Sequence, residues 1–120
     1  MTRATLTKTT PLGTLGTSYT ANAADLTMTA ANVSDKNQFA ASGKDFLVAY
    51  NTGAGAHTVT ITSTMDDNGR TGDIVYALGA GELAVLGPLD LEGWVQTNWK
   101  IYLEADSAEV FLGVLDLSNF

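Results

Sequence analysis

The chain has 120 residues, with six Lys and Arg against thirteen Asp and Glu, one histidine and no cysteine. This length accommodates one hydrophobic core rather than two. The formal charge of −7 removes the basic face that nucleic-acid binding needs, and the lack of thiols excludes both a disulfide framework and a thiolate metal site.

Residues 1–24 are rich in Thr, Ala and Gly, carry Arg3 and Lys8 without any acid, and so hold +2, whereas residues 25–120 carry four bases and thirteen acids, or −9. Small polar residues without apolar anchors bury too little area to offset their ordering entropy. The segment is expected to be an extended N-terminal arm that is ordered where something binds it. Its two cations suit an acidic surface, either its own or a partner's. No continuous apolar core of a signal peptide is visible in "MTRATLTKTTPLGTLG", and no apolar run is long enough for a membrane-spanning helix. No membrane partner is expected, and the cysteine-free composition leans towards folding in a reducing cytoplasm.

From residue 25 onwards the texture becomes that of a β domain, 25–120. "LTMTA" (26–30) alternates apolar residues with Thr and predicts a short strand, while 31–44 reads as a loop with at most one helical turn. "DFLVAYN" (45–51) is dense in aromatic and β-favouring residues and predicts a strand, followed by a glycine turn at 52–56. In "HTVTITST" (57–64) Val59 and Ile61 fall on one face and the threonines on the other. Further strands are predicted over 73–78, over 82–89 ending at Gly87–Pro88, over 100–105 and over 108–117. Short strands punctuated by glycine turns predict an all-β fold, an antiparallel β-sandwich of jelly-roll-like type carrying the N-terminal arm. Both phases of 110–117 are apolar, with Phe111, Leu115 and Leu117 opposite Val110, Leu112 and Val114. The second face therefore needs cover, from the arm, from loop 31–44 or from another subunit.

Signatures of chemistry are weak. His57 is the only histidine and opens a strand after a glycine turn, which suits a structural role. None of the six serines sits in a G-x-S-x-G elbow, and no phosphate-binding loop is present. The acidic pairs Asp66–Asp67 and Glu104–Asp106 have no recognisable cleft partner. The loop "DDNGRTGD" (66–73) fails as an EF-hand, since Arg70 and Thr71 fall where an oxygen ligand and a glycine are required. Asn68–Gly69 is instead a turn dipeptide, and Arg70 among Asp66, Asp67 and Asp73 reads as a shaped connector or contact tip. These residues point to no enzyme, no cofactor and no metal site. Trp94 and Trp99, with Tyr102 nearby, either fill the end of the sandwich or form a stacking platform for sugars.

The ordered cues over 45–89, "DFLVAYNTGAGAHTVTITSTMDDNGRTGDIVYALGAGELAVLGPL", resemble small structural proteins encoded in tailed-phage modules and prophages. They resemble in character the jelly-roll decoration (cement) proteins of phage capsids. The resemblance covers a third to a half of the chain, leaves out the arm, and rests on turn and strand motifs. It implies a virion protein, made in the bacterial host cytoplasm, that binds the outer surface of the major capsid protein lattice and stabilises the head. Such proteins are commonly dimers or trimers. Arg3, Lys8, Arg70, Asp73, Phe111 and Leu115 are then the candidate interaction residues. The alternative is a virion-surface carbohydrate- or receptor-binding module, or another head or tail accessory protein. Weak glycan binding is compatible with either.

Overall fold

The computed structural model describes residues 3–11, 24–65 and 68–117. Ten strands follow in chain order: β1 (Ala4–Thr5), β2 (Lys8–Thr9), β3 (Thr29–Ala30), β4 (Asn37–Ala40), β5 (Asp45–Asn51), β6 (His57–Ile61), β7 (Ile74–Leu78), β8 (Leu83–Leu89), β9 (Lys100–Ala105) and β10 (Val110–Asp116). They form two sheets, β1-β4-β9-β6-β7 and β2-β10-β5-β8, with β3 pairing β10 off the second path. The fold is an all-β sandwich as expected, and there is no helix among the described residues. Both sheets are mixed, because β1 runs parallel to β4 and β2 parallel to β10, while the other pairings are antiparallel.

Strict alternation builds the first sheet. Val59 and Ile61 of β6 and Ile101 and Leu103 of β9 point inward and are wholly buried, while their neighbours Thr58, Thr60, Tyr102 and Glu104 stay partly accessible. From the second sheet Leu47 and Ala49 of β5 and Val110, Leu112 and Val114 of β10 close the other side of the same core.

Residues 31–44, expected as a loop, contain β4, which lies between β1 and β9. Phe39 is fully buried there, and so is Asn37, which breaks the apolar alternation that would betray a strand. The Asn37 carboxamide oxygen accepts the Asn32 N–H at 3.0 Å, so this polar side chain ties the preceding turn to the strand.

The arm also departs from a free extension. Ala4 N–H donates to Lys36 O at 2.9 Å and Leu6 N–H to Gln38 O at 2.8 Å, while two residues later Lys8 and Thr9 pair with Val114 and Leu115. Residues 4–9 therefore cross from one sheet to the other, with Leu6 inserted into the core. Over 3–11, what orders the arm is the chain's own body; residues 12–23 lie outside the described residues.

The strand predicted over 82–89 runs from Leu83 through Gly87–Pro88 to Leu89, which is buried. A register shift between Asp45 and Leu47 absorbs the irregularity. Proline is tolerated because β8 is the last strand of its sheet and, among the described residues, has no further neighbour needing its N–H.

Candidate interaction surfaces

Arg3 and Lys8 both turn inward onto the domain. The Arg3 guanidinium sits 4.1 Å from the centroid of the Tyr102 ring and donates to Asn37 O at 3.0 Å and Leu103 O at 3.2 Å. It thereby fastens β1 across β4 to β9. The Lys8 ammonium donates to Ala40 O at 2.8 Å and lies 3.0 Å from Asp45 Oδ1 and 3.3 Å from Asp116 Oδ2. Asp45 also accepts from Ser42 N–H and Ser42 Oγ, each at 2.8 Å. A wholly buried carboxylate is tolerated only with such a set of donors. The acidic surface expected to receive the arm's cations is, for Lys8, part of the same molecule, while Arg3 is taken up by backbone carbonyls and an aromatic ring of that molecule.

Within the loop between β6 and β7, Asp66 and Asp67 lie outside the described residues. Asp73 accepts the Ser63 N–H at 2.9 Å, and Ser63 Oγ accepts the Gly72 N–H at 2.8 Å. These bonds close the base of the loop, and Gly69 at φ +74° turns its tip. Asp73 thus shapes the backbone. Arg70 is exposed and, with Ser63, Gly72, Glu92 and Trp94, lines a shallow groove of about 350 Å³. Among the described residues no group of three or more His, Asp or Glu side chains is placed to share a metal ion.

His57 is a clasp between strand ends. Its Nδ1 lies 3.1 Å from Asp106 Oδ1 and its Nε2 2.9 Å from Glu109 Oε1, so the imidazole bridges both ends of the turn between β9 and β10. The two ring nitrogens point in opposite directions and cannot converge on one ion.

Phe111 and Leu115 lie on the outer face of the second sheet and are half-buried. Between them Gly113 is covered by the segment before β3: a Cβ there would stand 2.6 Å from Met28 Sδ and 3.0 Å from Thr27 O. The cover that two apolar phases demand comes from residues 26–28, ahead of loop 31–44 and just after the arm. Coverage is incomplete. Register places Phe111, Tyr50 and Leu83 in one cross-strand row and Gly113, Val48 and Val85 in the next. Tyr50 is 40%, Leu83 64% and Val85 59% exposed. Residues 79–82 carry the chain from β7, the last strand of one sheet, to β8, the last of the other. On β7, Val75 and Tyr76 are also exposed. The second sheet thus presents an apolar flank of Tyr50, Leu83 and Val85 along β5 and β8, β8 having no outer neighbour among the described residues, whereas Val75, opposite Thr60, faces outward from the first sheet. Sequence alternation alone could not reveal this flank, since an exposed Leu or Val in a strand reads as core.

The aromatic residues separate by role. Trp94 packs partly buried against the core, and Tyr102 lies under Arg3 and accepts from Asn98 Nδ2 at 3.1 Å, whereas Trp99 is 66% exposed. Trp99 borders a second groove of about 530 Å³ that adjoins the first through Thr64, Glu92 and Gly93.

Comparison of the chain with protein-family models, with curated proteins and with solved structures found no match. No helix among the described residues is long and apolar enough to cross a membrane.

Proposed function

We propose that the protein is a capsid decoration protein of a tailed phage, binding the outer surface of the major capsid protein lattice and stabilising the head. The observation that carries this reading is the apolar flank formed by Tyr50, Leu83 and Val85 on the outer face of β5 and β8. Exposed apolar groups concentrated at a sheet edge favour contact with another protein. The segment that resembles phage structural proteins, 45–89, supplies all these side chains. A sandwich whose N-terminal strands span both sheets suits a part that must resist deformation. Many copies on a lattice gain avidity from modest individual contacts. On this reading the protein works without catalysis or cofactor, on the virion surface, after synthesis in the bacterial cytoplasm, and assembles as a dimer or trimer.

The test is co-sedimentation and electron microscopy of undecorated capsids with added protein. The Leu83→Asp/Val85→Asp double variant is expected to lose decoration while keeping its unfolding midpoint, because both side chains are already exposed. Equal occupancy by the variant would remove the flank from the contact. Failure of the unaltered chain to bind capsids at all would remove the reading itself.

A further inference from the structure

We infer that the groove beside Trp99 binds an uncharged saccharide, with one pyranose ring stacked on the indole. Trp99 sits at φ +64°, in the left-handed region that bulky residues avoid. Its backbone is held there from several sides. Its N–H donates to Gln96 O at 3.0 Å, its C=O accepts from Ala41 N–H at 3.0 Å, and Gln96 N–H donates to Lys100 O at 2.8 Å. Core packing does not account for this arrangement, since Trp94 supplies the indole that packs on the core while Trp99 remains 66% exposed. The turn thus holds the Trp99 backbone in a costly conformation and presents its indole to solvent beside the groove.

The groove has the chemistry of a sugar site. Met65, Leu91, Val95 and Trp99 give it an apolar lining, and Gln96 and Thr97 add uncharged polar groups. Its volume of about 530 Å³ falls in the range of roughly 300–1,000 Å³ typical of small-ligand sites. Among the described residues Glu92 is its one ionisable side chain and no cation lines it, which disfavours phosphate or carboxylate ligands. Gln96 Nε2 is buried and has no hydrogen-bond partner among the described residues, an arrangement that is costly unless an acceptor arrives. A ring hydroxyl entering the groove would supply that acceptor after a small rotation of the amide. A pyranose offers what this lining lacks: a C–H face for the indole and hydroxyl edges for the amide and the Thr97 hydroxyl. The inference needs no capsid contact and stands apart from the apolar flank.

The full chain would be applied to an array of neutral and acidic glycans and titrated with maltohexaose, cellohexaose and chitohexaose by tryptophan fluorescence. Binding to neutral glycans is expected. Trp99→Ala should weaken it about tenfold with an unchanged unfolding midpoint, and Gln96→Leu should weaken it several-fold. The proposal is overturned if no neutral glycan binds on the array and no hexasaccharide up to about 1 mM changes the fluorescence. Binding that Trp99→Ala leaves intact, or binding to acidic glycans alone, also overturns it. Shielding of Trp99 from acrylamide on capsids, without glycan binding, would make the indole a protein anchor instead.

Discussion

The Lys8 ammonium stands 3.0 Å from the carboxylate of Asp45, a fully buried residue at the start of β5. This contact joins a strand near the N-terminus to the centre of the second sheet. Removing the cation leaves a carboxylate buried with Ser42 as its remaining donor among the described residues. Lys8→Ala is therefore expected to cost about 3 kcal/mol, read as a lower urea midpoint at unchanged slope. Lys8→Ala/Asp45→Asn should recover part of that loss, because no uncompensated charge is left inside. A single variant as stable as the unaltered chain would show that the pair contributes nothing.

Leu6 is 5% exposed and belongs to the core cluster, although it lies in a segment whose composition suggests an unanchored arm. Leu6→Ala should cost about 2–3 kcal/mol, measured by thermal or urea unfolding. A change below about 0.5 kcal/mol, the size of an ordinary surface substitution, would mean that residues 4–9 do not hold their place in solution.

Gly113 has no room for a side chain. Its Cβ would meet Met28 Sδ at 2.6 Å and the Thr27 carbonyl at 3.0 Å. Gly113→Ala should cost about 1–3 kcal/mol by overpacking and loosen residues 26–28, seen as faster amide exchange in that segment. Adding Met28→Ala should restore part of the stability by removing the nearer obstacle. Full tolerance of the single variant would contradict the cover drawn over β10.

Gly87 combines a φ of +139° with a Cβ position 2.8 Å from the Asp45 carbonyl oxygen and 3.2 Å from Phe46 Cα. Both obstacles are backbone and cannot swing aside. Gly87→Ala is expected to cost at least about 2 kcal/mol, whereas Gly55→Ala, with nothing within 4 Å of its Cβ position and an ordinary φ, should change stability by under about 1 kcal/mol. Unfolding curves for the two variants, compared side by side, check the contrast. Equal midpoints would refute it.

The strands that were legible are those whose burial follows from local pattern. β5 and β9 match the predicted bounds, and β6, β7, β8 and β10 fall within theirs, because their inward residues recur at every second position or run continuously apolar. β4 escaped because one of its two buried side chains is Asn37, whose polarity is satisfied by partners the sequence does not bring into view. β1 and β2 escaped because each is two residues long, and their order comes from backbone pairing with strands about thirty and a hundred positions away. Of the candidate contact residues, Arg3, Lys8 and Asp73 face inward or hold a loop, Phe111 and Leu115 are half-covered, and Arg70 alone lies exposed on a groove.

The sequence by itself determined the class of fold, the inward faces of its long strands and the places where glycine must turn the chain. Those properties depend on residue type and period, which are local. Only the tertiary structure decided that the arm's cations are satisfied within the molecule, that residues 26–28 cover β10, and that apolar side chains of β5 and β8 share one open flank. Each depends on which distant strands become neighbours, and pairing across the sandwich leaves no periodic trace along the chain.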